Sequence, residues 1–578
     1  MELQKEATSV ASFLCILNND KKIWYTVLNI GESAFRHKIP QRRILMKRFL
    51  ALTLAFVMVL GVCLTAGCDK QPADTTTEKP ADPVQTTTGE KTPTDTTAQD
   101  NPSETTTSGE DTPVETTDTS ETEPDTPIIT EWDGYTRLAG FENIDFRGET
   151  FVIAGRTTDD VSFPTDIEIY TTETDSISTA VRDKNATIEK LYNCVIEVNS
   201  SESPGSLVNA EVTSGKQTID MYSYFMSGEG AATSGNNYNL YSLGIDFSNS
   251  WWDQNYVNSY TIKNSSGAKT MYTMVGDFAL TAFSCTHAMF FNKNVYETAI
   301  EEKLGYDIYQ LVRDGKWTMD IFVEMVKEAG TDVSGNQSFA YSEGDILGWV
   351  RTTHATHGLH AATGLQIITT KDGVLDFTAK SDTNQWTTLI DKAIEVWSTP
   401  QAETLGYTAV REAITGGNAL FASEVLDVLR RMKDADVTCG LVPYPKYSET
   451  QENYAHYVDN HLSAYAVPTS VVDLETMGKF IELYAAHSQK IVRNAWIDTY
   501  SYEYCGDADS AEMLDIILNS RTYDPGYLYW NTYEGEVSQM INAGKNNFTK
   551  WVDKRADSVT SSGGAFDNFI KGISDNKS

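Results

Sequence analysis

Basic residues are scarce in this sequence. Its 578 residues include 45 Lys and Arg against 81 Asp and Glu, which gives a formal net charge of -36 at pH 7. Such a chain repels phosphate backbones and anionic lipid headgroups, so nucleic-acid binding by the body of the protein is excluded. The chain is also long enough to bury a large core without disulfide bonds.

The sequence lacks the common short motifs of catalysis and nucleotide binding. It contains no G-x-S-x-G, no G-x-x-x-x-G-K-S/T, no G-x-G-x-x-G after a strand and no H-E-x-x-H. Carboxylates are so numerous that a glycosidase-like pair arises by chance and carries no information. We therefore predict a binding protein rather than an enzyme, and we expect no cofactor.

Cysteine is also infrequent, with seven residues in the chain. Four of them lie beyond the N-terminal region, and none forms a C-x-x-C that would indicate a zinc or redox site. Four cysteines allow three disulfide pairings, and buried free thiols are our default prediction. These residues are Cys194, Cys285, Cys439 and Cys505.

Three of the eight histidines are clustered at His354, His357 and His360, in a helix that we predict from about 345 to 362. Residues three apart share a helix face and could chelate zinc, but the third points away and no Glu-x-x-His pattern accompanies them. We predict no metal site, and we expect these histidines to lie on an exposed or lobe-surface face.

One apolar stretch, Phe49 to Leu64, approaches membrane length and follows Met46-Lys47-Arg48. About 16 apolar residues after a basic segment are typical of a signal peptide, because a spanning helix needs about 20. Thr65-Ala66-Gly67-Cys68 resembles a bacterial lipobox, although Thr65 replaces the usual Leu. The resemblance implies cleavage before Cys68 and lipid attachment to its sulfur; ordinary secretory cleavage is the alternative.

Residues 1–45 precede this signal peptide, and Met46 is itself a well-formed start. We interpret 1–45 as an over-extended gene start and 46–67 as the signal peptide. Residues 42–47 also resemble a twin-arginine export motif, which leaves the export route open.

Residues 68–130 form a polar tether in our interpretation. From Asp69 to Thr130 there are 20 Thr, 8 Pro, 15 acidic residues and 3 Lys, without an aromatic residue. A segment of this composition cannot offset chain entropy by burial, so we predict a disordered, extended linker.

Beyond Trp132 the sequence alternates short apolar runs with helical periodicity. Phe151 to Ala154 reads as a buried strand, a helical stripe follows, and further runs begin at Cys194 and Ile219 with a helix between them. This order predicts a parallel sheet with crossover helices.

A similar pattern returns after residue 290. Thr318 is placed as an N-cap with Trp317 and Phe322 as a hydrophobic staple, and Gly330 closes the helix. A later apolar stripe runs from Trp386 to Trp397. We therefore predict an α/β fold with two lobes of comparable size.

Several segments in order resemble the sugar-type, family 1 extracellular solute-binding proteins of bacterial ABC importers, in their clostridial lipoprotein branch, over nearly all of residues 140–575. The matching segments are Ser250-Trp251-Trp252-Asp253, Val275-Gly276-Asp277, Met289-Phe290-Phe291-Asn292-Lys293, Gly315-Lys316-Trp317-Thr318, Gly416-Gly417-Asn418-Ala419-Leu420-Phe421, Leu441-Val442-Pro443-Tyr444-Pro445-Lys446, Gln451 with Tyr454, Tyr465-Ala466-Val467-Pro468 and Asp509-Ser510-Ala511-Glu512-Met513-Leu514.

The resemblance implies a periplasmic-binding-protein-like (type II) fold, with two lobes joined by crossing strands and the ligand held between them. On that analogy lobe one comprises 131–290 and 466–505, and lobe two comprises 291–465 and 506–578. It implies a lipid-anchored monomer on the extracellular face of the membrane, with a carbohydrate ligand and ABC permease subunits as partners.

Sugar binding needs flat apolar faces and polar groups that exchange hydrogen bonds with hydroxyls. Trp251 and Trp252 lie in a polar, loop-like stretch, and we expect them in the cleft together with Asp277. Trp530, after the 524–526 turn, is a weaker candidate of the same kind.

Other candidates follow strand ends, where open α/β sheets bind ligands. Arg156 and Asp160 follow the first buried strand, and Tyr224 ends another. Ser423 and Glu424, just past the Phe421 segment, are placed only by analogy of position.

The alternative function is a cell-surface carbohydrate-active enzyme or adhesin on the same tether. Such a protein would need a catalytic pair or repeated modules, and the sequence indicates neither. Two neighbouring permease genes would favour the importer, whereas a lone gene among hydrolases would favour the alternative.

Overall fold

The computed structural model describes residues 128–156, 169, 171–201, 203–225, 230–435 and 439–575. The predictions that concern the signal peptide, Cys68, the tether up to residue 127 and Asp160 lie outside these residues.

The strands and helices alternate along the described chain. The strands are β1 Glu131–Trp132, β2 Tyr135–Thr136, β3 Glu149–Arg156, β4 Cys194–Ser201, β5 Met221–Phe225, β6 Ile262–Lys263, β7 Lys269–Thr270, β8 His287–Asn292, β9 Leu347–Arg351, β10 Thr369–Lys371, β11 Val374–Asp376, β12 Ala402–Thr404, β13 Ala419–Val425, β14 Cys439–Val442, β15 His456–Tyr457, β16 Ser463–Ala466 and β17 Arg521–Thr522. The α-helices are α1 Ser176–Tyr192, α2 Pro204–Ser214, α3 Gly230–Thr233, α4 Gln254–Tyr260, α5 Leu280–Ser284, α6 Lys293–Tyr296, α7 Glu302–Leu304, α8 Ile308–Arg313, α9 Met319–Ala329, α10 Ala355–Ala362, α11 Thr378–Ser381, α12 Thr383–Trp397, α13 Tyr407–Thr415, α14 Val428–Met432, α15 Leu474–His487, α16 Asn494–Asp498, α17 Ala508–Asn519, α18 Pro525–Leu528, α19 Asn531–Asn542, α20 Phe548–Thr560 and α21 Ala565–Asp575.

The sheet of lobe one has the order β16-β5-β3-β4. Strand β3 is parallel to both β4 and β5, and β16 joins β5 in the antiparallel sense. Helix α1 starts where the Asp175 carboxylate accepts a hydrogen bond from the Ser178 amide, and it ends at Asn193 in the left-handed conformation. The predicted β-α-β-α-β order is confirmed.

The sheet of lobe two has the order β12-β9-β13-β8-β14. Strands β12 and β13 run parallel to β9, whereas β8 pairs antiparallel with β13 and β14. Thr318 stands at the N-cap of α9, and the rings of Trp317 and Phe322 meet edge to face at 5.9 Å. The predicted stripe from Trp386 to Trp397 is buried along α12. The prediction of an α/β fold with two lobes is confirmed.

The chain passes between the two sheets more than once. It leaves lobe one after α5, where Thr286 forms an antiparallel bridge with Val458, and it continues into β8. It returns through Val458 to β16, and helix α15 then packs Phe480 and Ile481 into the core of lobe one.

The C-terminal helix α21 is placed differently from the sequence-based division, which puts residues 506–578 in lobe two. Phe569 and Ile573 of α21 are buried in the core of lobe one. The period of an amphipathic helix shows which face is apolar but not which core it covers, so the sequence could not show this packing.

Two further observations concern the state of the cysteines and the length of the apolar helices. Cys194, Cys285, Cys439 and Cys505 are buried thiols outside any disulfide, as predicted. None of the helices in the described ranges is long and apolar enough to cross a membrane.

Candidate functional site

A narrow cavity lies beside the segment through which the chain returns from lobe two to lobe one. Four tyrosines line it: Tyr260 at the end of α4, Tyr457 in β15, and Tyr523 and Tyr527 after β17. Tyr260 and Tyr523 belong to the core of lobe one, whereas the helices that supply His360 and Glu534 to the cavity wall, α10 and α19, pack into the core of lobe two. The cavity therefore lies where both lobes contribute side chains.

The tyrosine rings of the cavity wall pack against one another edge to face. The rings of Tyr457 and Tyr527 meet edge to face at 5.2 Å, and those of Tyr260 and Tyr523 do so at 6.4 Å. Burial raises the pKa of Tyr457 and Tyr527 well above the ordinary value, so their hydroxyls stay protonated at neutral pH.

The Asp524 carboxyl group also lines the cavity, and burial raises its pKa to about 6. Two further polar side chains of the wall are buried, Glu534 of α19 and His360 of α10. They are 2% and 5% exposed, respectively. Oε1 of Glu534 is bonded to Nδ1 of His357, whereas Glu534 Oε2 and His360 Nε2 have no hydrogen-bond partner. Because a buried polar atom without a partner is costly, these two atoms indicate a place for a hydrogen-bonding ligand or water.

The helix that carries these histidines packs unusually closely at Gly358. A Cβ at this position would lie 2.4 Å from the Tyr444 ring. Glycine therefore lets α10 approach β14 and the segment after it, which sets the positions of His357 and His360.

The Glu534 carboxyl group is ionised. Burial alone would raise its pKa, but the charge and hydrogen bond of His357, with a further contribution from His360, lower it to about 2. Burial would lower the pKa of His357, and the Glu534 carboxylate reverses this so that the pKa of His357 is raised. The two shifts favour a buried ion pair between an ionised Glu534 and a protonated His357.

A second group of charges surrounds Asp459, in the returning segment. Its carboxylate lies 3.6 Å from His287 Nε2 of β8 and 3.7 Å from His354 Nδ1, and it is bonded to His461 Nδ1. Burial opposes ionisation, but these three histidines hold the pKa of Asp459 well below its usual range.

Ser423 and Glu424, predicted by analogy of position, lie at the carboxyl end of β13. Ser423 is buried, and its hydroxyl accepts a hydrogen bond from the Trp349 indole at 2.7 Å. Glu424 is 5% exposed and its Oε1 has no partner, and burial raises its pKa to about 7 against the opposing charge of His354. Glu424 therefore belongs to the group of charges around Asp459.

Arg156, predicted from its place after β3, reaches the same region from lobe one. Its Nη2 donates a hydrogen bond to the backbone oxygen of His461 at 3.0 Å. The structure thus brings both Arg156 and Glu424 close to the returning segment that carries Asp459.

Trp251, Trp252 and Asp277 lie together elsewhere in lobe one. Trp252 is 2% exposed, and its ring lies against Phe247 and Phe278 at 5.1 and 6.0 Å. Protein atoms cover its ring, so the structure places Trp252 in the core.

The neighbours of Trp252 also have partners within the protein. The Trp251 indole donates to Glu482 at 2.8 Å, and Asp277 lies 3.4 Å from Arg493. Burial raises the pKa of Asp277 to about 6. None of these three residues lines the tyrosine cavity.

The remaining candidates lie apart from the cavity wall. The Trp530 ring packs against Phe566 and Phe569 near the C-terminal helix. The backbone of Tyr224 pairs with Ala464 of β16, and its side chain is outside the described part of the chain.

The histidine prediction is corrected in two respects. The segment predicted as one helix over 345–362 contains strand β9, a turn and helix α10, which starts at Ala355. His354 is partly exposed, but His357 and His360 point toward Glu534 rather than solvent. In the described ranges, no group of His, Cys, Asp and Glu is arranged to hold a metal ion.

The sequence analysis missed the four tyrosines, Asp459 and Glu534. The spacing of the histidines was a real signal, but their carboxylate partners come from distant segments. With only the sequence, no motif connects positions 260, 457 and 534.

The cavity encloses about 20 Å³, room for one water molecule, and its wall carries groups that suit a polyhydroxylated molecule. Tyr260 and Tyr523 are packed in the core of lobe one, so Tyr457 and Tyr527 supply the apolar surface of the cavity wall. The ionised Glu534 carboxylate offers an acceptor for a hydroxyl group. The histidine and carboxylate groups around Asp459 extend the polar surface toward Arg156 and Glu424.

No family model matches this sequence, and no curated protein matches it significantly. Solved structures do resemble it. A family 1 extracellular solute-binding protein from Bifidobacterium longum subsp. infantis is 14% identical with a TM-score of 0.42, and the match covers 74% of this chain and 99% of that one.

Two other solved structures show a similar likeness. The ABC substrate-binding protein from Listeria monocytogenes in complex with cycloalternan is 13% identical with a TM-score of 0.43, over 74% of this chain and 98% of that one. The sugar-binding protein MalE from Xanthomonas citri is 10% identical with a TM-score of 0.46, over 73% and 97%. At these identities and TM-scores the likeness carries no argument about function, which has to come from the residues of this chain.

Proposed function

We propose that this chain is an extracellular solute-binding protein that captures a sugar or oligosaccharide between its lobes and delivers it to an ABC transporter permease. The observation that carries the proposal is the tyrosine-lined cavity between segments of both lobes, with the free Oε2 of Glu534 in its wall.

The chemistry of the cavity suits a neutral sugar. A pyranose ring has an apolar C-H face that packs on tyrosine, and its hydroxyls donate to an ionised carboxylate. Glu534 can accept a hydrogen bond from a sugar hydroxyl because no protein donor is bonded to its Oε2. His360 Nε2 is a further partner for a hydroxyl.

Delivery to a permease and anchoring by lipid are the finer parts of the proposal. Both rest on the lipobox-like Thr65-Ala66-Gly67-Cys68 and the Thr- and Pro-rich segment that follows. A monomer tethered to the extracellular face of the membrane can deliver its ligand to a permease there without diffusing away.

The test is a thermal-shift screen of the full chain with glucose, maltose, maltotetraose and cycloalternan, with glycine and glutamate as non-sugar controls. We expect at least one sugar to raise the melting temperature, since a ligand that binds only the native state stabilises it by mass action.

Matched variants locate the site. Tyr527→Ala should weaken sugar binding, whereas Tyr502→Ala, at an exposed tyrosine far from the cavity wall, should not. Stabilisation by the non-sugar controls alone, or equal sugar binding by both variants, would contradict the proposal.

A further inference from the structure

His357 occupies the position that joins the tyrosine cavity to the charges around Asp459. Its ring is stacked on Tyr457 at 5.2 Å with an interplanar angle of 17°. Its Nδ1 is bonded to Oε1 of Glu534, and its Nε2 lies 3.5 Å from the Ser538 hydroxyl. Both nitrogens therefore face α19, and one face of the ring is covered.

Groups from every neighbouring element act on His357. On its own helix segment the His354 ring lies 6.0 Å away, and His360 shares the partner Glu534. Glu534 on α19 and Asp459 in the returning segment act on His357 through their charges. From β8, His287 faces the same cluster. The tyrosine rings of Tyr457 and Tyr527 supply the remaining walls, and they stay neutral.

The balance of these groups favours a charged imidazole. The nearest carboxylate is bonded directly to His357, and Asp459 adds a second negative charge nearby. The His287 pKa is lowered by burial, so that ring does not compete as a cation near neutral pH.

We propose that His357, in its protonated form, is a positioning residue that holds the Glu534 carboxylate in the cavity wall, so that ligand capture weakens when His357 loses its proton. This inference rests on the proposed function and adds a means of regulation to the same site. A charge-assisted hydrogen bond fixes Oε1 and thereby sets the direction of the free Oε2.

The direction of the pH effect follows from the raised pKa of His357. Below that pKa the ion pair is intact, and it is lost as the pH rises through it. Glu534, with its pKa near 2, and Asp459 keep their charges throughout. Glu424 titrates near pH 7 and Asp524, in the cavity wall, near pH 6, so both have to be separated from His357 by mutation.

The first experiment needs no ligand. In the full chain labelled with ¹³C at His Cε1, the resonance that disappears in His357→Gln reports the titration of His357. We expect its midpoint to lie above the usual value of about 6.5 and to fall in Glu534→Gln. A midpoint at or below 6.5 would overturn the proposal.

The second experiment measures maltotetraose affinity by calorimetry from pH 5.5 to 9.5. We expect binding to weaken by about tenfold across the His357 titration, as for the loss of one charge-assisted hydrogen bond. His357→Gln, which keeps a donor but cannot take up a proton, should bind weakly without that pH step.

Two control variants separate the titrating groups. In Glu424→Gln and in Asp524→Asn the pH step should remain, because the proposal assigns it to His357. A step that vanishes in Glu424→Gln and survives in His357→Gln would overturn the proposal, as would pH-independent binding by the unmodified chain.

The two proposals fail in distinguishable ways. If none of the screened sugars binds at any pH, the proposed function is contradicted, while the NMR titration still decides whether His357 is held protonated by Glu534. If maltotetraose binds with a flat pH profile, the function stands and the regulatory role of His357 does not.

Discussion

Nη2 of Arg521 lies 2.8 Å from Oδ2 of Asp253, and this buried ion pair joins β17 to the start of α4 in lobe one. The Tyr523 hydroxyl donates to the same carboxylate at 2.7 Å. Burial alone would lower the pKa of Arg521, but Asp253 raises it. The contact therefore fixes the segment that bears Tyr523 and Tyr527 against the lobe that bears Tyr260.

We expect Asp253→Asn to destabilise the protein by roughly 3 to 5 kcal/mol, because removal of one partner leaves a buried charge uncompensated. Chemical denaturation followed by circular dichroism measures the loss. Glu475→Gln breaks the exposed pair with Lys479 and should cause no measurable change. An equally small effect in both variants would contradict this role for Asp253.

The organisation of lobe one could be predicted from sequence because its signals are local. Phe151 to Ala154 is an apolar run of strand length, and Val181, Ile188 and Leu191 repeat at helical spacing. The structure buries these side chains in β3 and α1. Each element thus shows its period within one short stretch of chain.

Strand β9 shows where the local signal fails. Leu347–Arg351 is a short apolar run next to histidines at helical spacing, and such a run fits a buried strand and a helix equally well. Its parallel pairing with β13, more than 60 residues away, decides in favour of the strand.

The site was harder to predict than the fold. Trp252 is an aromatic residue in a polar stretch, which is typical of a sugar-binding residue, yet tertiary packing covers its ring. Tyr457 and Glu534 look ordinary in sequence and become neighbours of His357 only in three dimensions. The relevant contacts connect segments that no short motif spans.

We expect Trp252→Ala to lower the free energy of unfolding by roughly 3 to 5 kcal/mol, since it leaves a cavity among Phe247, Phe278 and their neighbours. Thermal and urea denaturation measure this change, and sugar affinity of the remaining folded protein should match that of the unmodified chain. Weakened binding without loss of stability would instead place Trp252 at the ligand.

We expect Cys68→Ser to release the protein from the membrane into the medium, because serine offers no sulfur for lipid attachment. Fractionation of producing cells and detection of the protein in each fraction measure this. Cys63→Ser, within the apolar stretch of the predicted signal peptide, is the matched control and should leave membrane association intact. Equal membrane association of Cys68→Ser and the unmodified chain would refute lipid attachment at Cys68.

Glu424 should make stability depend on pH in a direction opposite to that of an ordinary ion-paired carboxylate. Burial raises its pKa in the folded protein from 4.5 to about 7, so between these values the folded state binds more protons than the unfolded state. Its contribution to stability is therefore present at low pH and is lost as the pH rises from about 4.5 to about 7.

Glu424→Gln remains neutral throughout and should be more stable than the unmodified chain at pH 8 by roughly 1 to 3 kcal/mol, with a smaller difference at pH 4.5. Urea denaturation at both pH values measures the difference between the two proteins, so titrations elsewhere cancel. The exposed variant Glu475→Gln should show no such pH-dependent gain, and a Glu424→Gln difference that is constant or grows toward low pH would show that Glu424 is charged in the folded protein.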